Sequence, residues 1–325
     1  MIYLQVAAGL AVLLVGGDLL VRGAIGISER FGISPLVIGV TVVAFGTSAP
    51  ELVVCVQATL TGRPDLAIGN VVGSNIANVL LVLGLSALVY PIFCNPEGLR
   101  RDSTLMLIAS VFFATIAWGR LFERWQGGML LALLVVFLAY SYVRAVRQGE
   151  GASEDHGLEY EGIKAMPRAT SVSLVLVVGG CVGLALGSHI LIDGATEVAR
   201  AIGVSETVIG LTLVAVGTSL PELATSMVAA VRRHGEVALG NVLGSNMFNL
   251  LGVMGVTALA APIPVPSEIL SFDIWIMLGV ALLLGSFTLR CAPIGRVVGL
   301  LFVIAYSAYL VAQFNGLSGV VVAAG

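Results

Sequence analysis

Two short apolar stretches carry residues that could bind a cation. The sequence "GTSAPEL" at 46–52 holds two hydroxyl side chains, a proline and Glu51, and "GTSLPEL" at 217–223 repeats the pattern with Glu222. An acidic residue at the centre of a membrane span costs roughly 2.5–3.5 kcal/mol, and a bound cation would offset that cost. The available ligands are carboxylate, hydroxyl and carbonyl oxygens. This set favours hard cations such as Ca²⁺ or Na⁺ over zinc or copper.

The proline of each motif explains how carbonyl oxygens could become available. Pro50 has no N–H and clashes with the carbonyl of the residue four positions earlier, Gly46. We therefore expect a helix break that frees the carbonyls near Ala44 to Thr47, and the same break in the second copy at Pro221. At membrane depth, freed carbonyls find partners only in protein, water or ions.

A second repeated motif supplies amides. In "GNVVGSNIAN" at 69–78, Ser74 and Asn78 are four residues apart and share one helix face, and Ser245 and Asn249 do so in "GNVLGSNMFN" at 240–249. We expect these four side chains among the cation ligands. The remaining asparagines lie at other angles and are expected to tie helices together: Asn70, Asn75, Asn241 and Asn246.

The composition places the whole chain in the membrane. Of 325 residues, 58% are hydrophobic and 11% charged, and the mean hydropathy is +1.03, whereas soluble domains are about 25% charged. The four cysteines form no CxxC pair and indicate neither a disulfide framework nor a zinc site. No nucleophile–base pair or HExxH motif supports an enzyme.

The elements that position the motifs are apolar runs of about 20 residues, the length that spans the hydrocarbon core. The first run is expected to stay in the protein as a transmembrane helix, because it lacks the features of a signal peptide. We predict ten spans, at 3–21, 33–60, 66–90, 103–119, 126–145, 171–192, 204–230, 237–261, 270–289 and 294–313.

The two halves of the chain repeat each other. A shift of 171 residues aligns 16–92 with 187–263 without a gap. Because each copy holds five predicted spans, an odd number, the second copy must enter the membrane from the opposite face, as in many secondary transporters. The sequence thus divides into a first five-helix repeat at 1–145, a cytoplasmic linker at 146–169 and a second five-helix repeat at 170–325.

The basic residues predict the orientation, since cytoplasmic loops are rich in Lys and Arg. The loops after the odd-numbered spans hold twelve: Arg22, Arg30, Arg100, Arg101, Arg144, Arg147, Lys164, Arg168, Arg232, Arg233, Arg290 and Arg296. The other face holds four: Arg63, Arg120, Arg124 and Arg200. We therefore expect the central linker in the cytoplasm and both termini outside.

The paired motifs resemble the α-repeats of the calcium/cation antiporter superfamily, nearest to the prokaryotic sodium/calcium exchangers and their potassium-dependent relatives. The pattern and the resemblance together predict an all-α integral membrane protein with ten transmembrane helices in two inverted repeats. Helices 2, 3, 7 and 8 are expected to be broken around a cation site near the middle of the membrane.

The resemblance also implies which residues bind the ions. Glu51 and Glu222 would be central and shared by Ca²⁺ and Na⁺. The other implied ligands are the hydroxyl or carbonyl oxygens of Thr47, Ser48, Thr218 and Ser219, the hydroxyls of Ser74 and Ser245, the carbonyls of Ala44 and Ala215, and the amides of Asn78 and Asn249. Relatives often carry aspartate at the position of Asn249. The neutral residue here leaves potassium dependence and stoichiometry open.

The function that follows is exchange of Ca²⁺ for Na⁺ by alternating access, with the first and sixth spans, rich in small residues, sliding against the other eight. Exchange of Ca²⁺ for H⁺ on the same fold is the alternative, and a channel or an intramembrane enzyme is a more distant one. The expected partners are the transported Ca²⁺ and Na⁺, with K⁺ or H⁺ as alternatives left open, and the lipid bilayer of a prokaryotic inner membrane. No cofactor and no nucleic acid are expected, and the oligomeric state is open.

Overall fold

The computed structural model describes residues 2–93, 96–149, 169–201 and 215–314. Apart from two strands of two residues each, the regular structure in these ranges is helical. The helices are α1 (Ile2–Phe31), α2 (Pro35–Leu60), α3 (Pro64–Val89), α4 (Pro96–Ala117), α5 (Arg124–Gly149), α6 (Thr170–Ala201), α7a (Ala215–Thr218), α7b (Leu220–Val231), α8 (Gly235–Ala260), α9 (Ile269–Leu289) and α10 (Arg296–Phe314).

The helices correspond in order to the ten predicted spans, and the chain is a multi-pass integral membrane protein. Eight helices in the described ranges are long and apolar enough to cross a membrane, namely all except α4 and the two α7 segments. Helix α4 has 22 residues but carries Arg100, Arg101 and Asp102 in its first turns. Residues 204–214 of the predicted seventh span and most of the linker lie outside the described residues.

The inverted repeat is visible in the packing of α1 against α6. Glycines recur every seven residues on both helices, at Gly9, Gly16 and Gly23 and at the matched Gly180, Gly187 and Gly194. A Cβ added to Gly16 would lie 2.6 Å from the backbone nitrogen of Leu184, and one added to Gly187 would lie 2.4 Å from that of Leu13. The two backbones are therefore in direct contact and run antiparallel, as inverted copies require. We call these six glycines the glycine seam.

Two short β contacts also follow the repeat. Ile92, after α3, pairs with Ile294, between α9 and α10, through N–H···O bonds of 3.0 and 2.9 Å. The matched Ile263, after α8, lies in the strand Ile263–Pro264, which pairs with Leu121–Phe122 between α4 and α5. Each repeat thus joins the loop between the last two helices of the other.

The irregular parts of the central helices take a different form from the predicted breaks. The α-helix Ala44–Leu60 runs through Pro50 without interruption, because a transmembrane helix tolerates proline when side chains and neighbouring helices satisfy the freed groups. The irregularities are π-helical turns instead, at Gly39–Val43 in α2, Asn78–Leu83 in α3, Phe248–Val253 in α8 and Ile269–Asp273 in α9. Such turns occur frequently at functional sites.

Only the second copy of the proline motif has a break within the described residues. Ser219, with φ −89° and ψ 3°, separates α7a from α7b two residues before Pro221. Matched sequences therefore adopt different local structures in the two repeats.

Candidate functional site

The four repeated motifs converge in the centre of the protein. Helix α8 packs against α2, and α7b packs against α3, so each repeat contributes to the same cluster. Glu51 on α2 and Glu222 on α7b are both completely buried. They are close enough to interact electrostatically, so two negative charges here would repel each other in a region of low dielectric.

Hydroxyl groups from two helices surround one oxygen of Glu222. Ser48 donates to Glu222 Oε1 at 3.0 Å, and Ser245 donates to the same oxygen at 3.4 Å. The hydroxyl of Thr47 lies 3.3 Å from that of Ser245 and 3.3 Å from the carbonyl oxygen of Ala44. These five predicted ligands therefore form one hydrogen-bonded cluster.

The remaining carboxylate oxygens have no such partners. Within the described residues, both oxygens of Glu51 and Oε2 of Glu222 are buried without a hydrogen-bond partner. Burying a carboxylate without a partner costs roughly several kcal/mol of solvation free energy. A cation bound at these oxygens would offset this loss of solvation.

Other predicted ligands share this lack of partners. The described part of the chain offers no hydrogen-bond partner to buried atoms of four of them: Ser74 Oγ, Asn78 Oδ1, Ser219 Oγ and both amide atoms of Asn249. Roughly 90% of buried polar groups in proteins are hydrogen-bonded. The unsatisfied atoms of the predicted ligands are mainly oxygens, the atoms that hard cations prefer.

The oxygen-rich composition of the site favours a hard cation. The described residues contain no group of three or more His, Cys, Asp and Glu side chains that could hold a metal ion. Carboxylate, hydroxyl, amide and carbonyl oxygens suit Na⁺ or Ca²⁺ better than zinc.

Two of the asparagines excluded from the predicted ligand set lie where α3 meets α8. Asn246 accepts a hydrogen bond from Asn78 at 3.1 Å, and its own nitrogen lies 3.5 Å from the carbonyl oxygen of Asn75. The prediction that Asn246 ties helices together is confirmed. The side chain of Asn75 instead bonds within its own helix, to the carbonyl of Val71 at 2.8 Å.

Asn70 and Asn241 tie helices together as predicted, but the sequence did not reveal their partners. Thr218 donates to Asn70 Oδ1 at 2.9 Å, and Thr47 donates to Asn241 Oδ1 at 3.2 Å. Each bond joins a helix of one repeat to a helix of the other. Ala215, whose carbonyl is a predicted ligand, is the first residue of α7a; its side chain lies outside the described part of the structure.

Matched positions on α1 and α6 carry charged groups with different partners. Asp18 on α1 pairs with Arg22 at 2.8 Å and accepts a hydrogen bond from Nε of Arg232 at 2.6 Å, which links α1 to the end of α7b. The matched His189 on α6 lies 3.5 Å from Asp193 at an exposed surface. The contact to Arg232 was not predicted, because no sequence pattern relates the two residues.

Comparison with known families gives a match over nearly the whole chain. The family model described as "Sodium/calcium exchanger protein" matches residues 1–143 and 172–315. The two matched segments exclude little more than the central linker and the last ten residues.

Individual proteins similar to this chain belong to the same kind of membrane protein as the family model indicates. The chain is 31% identical to the sodium/calcium exchanger MaX1 of Methanosarcina acetivorans, covering 96% of this chain and 98% of that protein. It is 38% identical to the inner membrane protein YrbG of Escherichia coli, covering 90% of each. Among solved structures, the sodium-calcium exchanger NCX_Mj, soaked with 10 mM Na⁺ and zero Ca²⁺, superimposes with a TM-score of 0.82 at 35% identity, covering 96% of this chain and 99% of that one.

Proposed function

The chain belongs to the sodium/calcium exchanger protein family and is a membrane antiporter of cations rather than an enzyme, and from this premise we propose that it exchanges Ca²⁺ for Na⁺ by alternating access. The observation that carries the proposal is the buried pair Glu51 and Glu222, which share a cluster with oxygen atoms that lack partners among the described residues.

We assign the two glutamates to the centre of the site, where each would bind Ca²⁺ and Na⁺ in turn. The flanking ligands are the same set that the sequence predicts: Thr47, Ser48, Ser74, Asn78, Thr218, Ser219, Ser245 and Asn249, with the carbonyls of Ala44 and Ala215. The support is the convergence of Ser48, Ser245 and Thr47 near Glu222.

The charge of the site gives a reason for obligatory exchange. Two carboxylates carry a charge of −2, which one Ca²⁺ neutralises, as do two Na⁺. When the accessible side changes, an empty site that retains this charge would have to be enclosed in a region of low dielectric. Enclosing it costs roughly several kcal/mol of solvation for each charge. The protein would therefore change its accessible side only when loaded with one ion or the other.

The proposal is tested by uptake of ⁴⁵Ca²⁺ into proteoliposomes loaded with Na⁺ and diluted into Na⁺-free buffer. A parallel set of vesicles carries a pH gradient and no Na⁺ gradient. We expect the Na⁺ gradient to drive uptake and the pH gradient to drive none. Uptake driven by the pH gradient alone would establish the Ca²⁺/H⁺ alternative instead.

Alternating access is proposed to occur by sliding of α1 and α6 against the other helices. Helix α6 lies directly on both proline motifs: a Cβ added to Gly46 would be 2.5 Å from Sγ of Cys181, and one added to Gly217 would be 2.5 Å from Cδ1 of Ile192. Movement of α6 therefore changes the surroundings of the residues next to the site on both repeats.

A cross-link between α1 and the core is expected to slow transport severalfold. Asp18→Cys and Arg232→Cys place thiols at the ends of an existing contact between α1 and the end of α7b, where a short methanethiosulfonate reagent can join them. Cys94, Cys181 and Cys291 are replaced beforehand, and the buried Cys55 is kept. ⁴⁵Ca²⁺ uptake is measured before and after reduction of the same sample, and each single-cysteine variant is the control. Equal rates in the linked and reduced samples would rule out sliding.

We further propose that the chain lies in the inner membrane of a prokaryotic cell, with its central linker in the cytoplasm and its termini outside. The twelve-to-four distribution of basic residues supports this orientation. The name of the Escherichia coli relative, an inner membrane protein, supports the membrane.

A further inference from the structure

We propose that Asn70 and Asn241 are positioning residues that set the direction of the hydroxyl protons of Thr218 and Thr47. This role rests on the proposed cation exchange. Each amide oxygen accepts a hydrogen bond from the threonine hydroxyl, so the lone pairs of the threonine oxygen stay available for the cation. Neither asparagine belongs to the proposed ligand set.

The two contacts are matched across the repeat. Thr47 donates to Asn241 at 3.2 Å and Thr218 donates to Asn70 at 2.9 Å, and both pairs of positions are related by the shift of 171 residues. Each hydrogen bond crosses from one repeat to the other. The same arrangement therefore occurs twice, although the surrounding helix geometry differs between α2 and α7.

The contacts of its nitrogen determine the orientation of the Asn241 amide. Asn241 is completely buried, and its Nδ2 lies 3.0 Å from the hydroxyl of Ser226 and 3.4 Å from the carbonyl oxygen of Glu222. A carbonyl can only accept a hydrogen bond. The amide nitrogen must therefore face Glu222, and the amide oxygen faces Thr47.

Of the acceptors near Thr47 in the described structure, Asn241 is the one that cation binding leaves available. The Thr47 hydroxyl lies near three acceptors: the Ala44 carbonyl, the Ser245 hydroxyl and Asn241. The first two are proposed ligands, so a bound cation occupies their lone pairs. A hydroxyl has one proton and two lone pairs, and a proton accepted by Asn241 cannot point at the cation.

The two copies differ in what holds the amide. The acceptor for Asn241 is Ser226, whereas the acceptor for Asn70 is the matched Cys55, with an N···S distance of 3.4 Å. Sulfur is a weak acceptor, so Asn70 is held less firmly. We therefore expect the loss of Asn241 to weaken cation binding more than the loss of Asn70 does.

The experiment is a double-mutant cycle between Asn241→Ala and Thr47→Val, read out by KM and kcat for Ca²⁺ uptake and by calorimetric binding of Ca²⁺ to the purified protein. Asn241→Ala is expected to raise KM and the dissociation constant about fivefold, the effect of one hydrogen bond, with kcat little changed. In the Thr47→Val background the same substitution should have a much smaller effect, because the hydroxyl with the shorter contact to Asn241 Oδ1 is gone and the contact of the Ser245 hydroxyl, at 3.5 Å, is the one that remains in the described structure.

Two further variants separate positioning from general damage. Ser226→Ala leaves both members of the Thr47–Asn241 contact in place but removes the nearer of the two acceptors that hold the amide nitrogen, and a smaller rise in KM is expected. Asn75→Ala is the matched control, a buried asparagine on α3 whose side chain, among the described residues, bonds within its own helix, and it should leave KM unchanged.

The outcomes are distinguishable. If Asn241→Ala lowers kcat without changing KM, or acts equally strongly in the Thr47→Val background, the positioning role is wrong while the exchange function stands. If the unmodified protein neither binds Ca²⁺ in the calorimeter nor exchanges it for Na⁺, the proposed function fails and the inference fails with it.

Discussion

Glu51→Gln and Glu222→Gln are each expected to reduce Na⁺-driven Ca²⁺ uptake by at least about 100-fold, because removing one charge from a buried ion pair typically costs 3–5 kcal/mol. Glutamine keeps the size of the side chain and one carbonyl oxygen but removes the negative charge. With one carboxylate left, the site no longer carries the −2 charge that a single Ca²⁺ neutralises. Both residues are completely buried, so solvent cannot replace the lost charge.

The measurement is initial ⁴⁵Ca²⁺ uptake into Na⁺-loaded proteoliposomes, normalised to the amount of monodisperse protein. Glu268→Gln is the matched control, since Glu268 is an exposed glutamate immediately before the π-helical turn of α9, and uptake by this variant should equal that of the unmodified protein. Normal uptake by Glu51→Gln would exclude this residue as a central ligand, and with it the charge-based account of obligatory exchange.

The second large effect is expected from the glycine seam. Gly180→Ala puts a Cβ 2.5 Å from the backbone nitrogen of Leu20, and Gly187→Ala puts one 2.4 Å from that of Leu13. Backbone atoms cannot rotate away as a flexible side chain can, so α1 and α6 must separate. Overpacking of this kind costs roughly 1–3 kcal/mol per site, and occasionally more. We expect the double variant to yield little or no monodisperse protein.

The control for the seam is the neighbouring glycine. A Cβ added to Gly179 meets no atom within 4 Å in the described structure, so Gly179→Ala changes the same helix by the same methyl group without a collision. Thermal unfolding in detergent, followed by size-exclusion chromatography, compares Gly179→Ala with Gly180→Ala, Gly187→Ala and the double variant. Equal stability of Gly180→Ala and Gly179→Ala would contradict the close contact of α1 and α6.

The seam also bears on the proposed sliding movement. Close contact at all six seam glycines favours movement of α1 and α6 as one unit, since separating the helices would lose the contact at every one of them. This unit contacts α7 in both of its helices: Asp18 on α1 binds Arg232 at the end of α7b, and Ser188 on α6 donates to the carbonyl of Gly217 in α7a at 2.9 Å. The residues of α6 that match Asp18 and Arg22, His189 and Asp193, pair with each other.

The sequence by itself determined the membrane class, the order of ten spans and the inverted repeat. These features depend on local composition, on the length that a helix needs to span the bilayer, and on the gapless match at a shift of 171 residues. The motif pairs at 46–52 and 217–223, and at 69–78 and 240–249, likewise identified the buried polar residues that converge in the structure. Their role as cation ligands stays a prediction.

Local structure at the prolines depended on more than the motif. The same Gly-Thr-Ser-X-Pro-Glu pattern forms a continuous helix through Pro50 and a break at Ser219. A missing N–H frees a carbonyl in both copies, but whether the helix bends, widens or breaks depends on the neighbours that satisfy the freed group. Those neighbours are not encoded within the motif.

Only the tertiary structure decided which asparagine meets which threonine, and that Asp18 binds Arg232. A repeat places matched residues at equivalent points of each copy, but it contains no information about how one copy packs against the other. The bonds Thr47–Asn241 and Thr218–Asn70 cross that interface. They form because the crossing of α2 with α8 and of α7a with α3 brings side chains together that are separated by 194 and 148 residues in the chain.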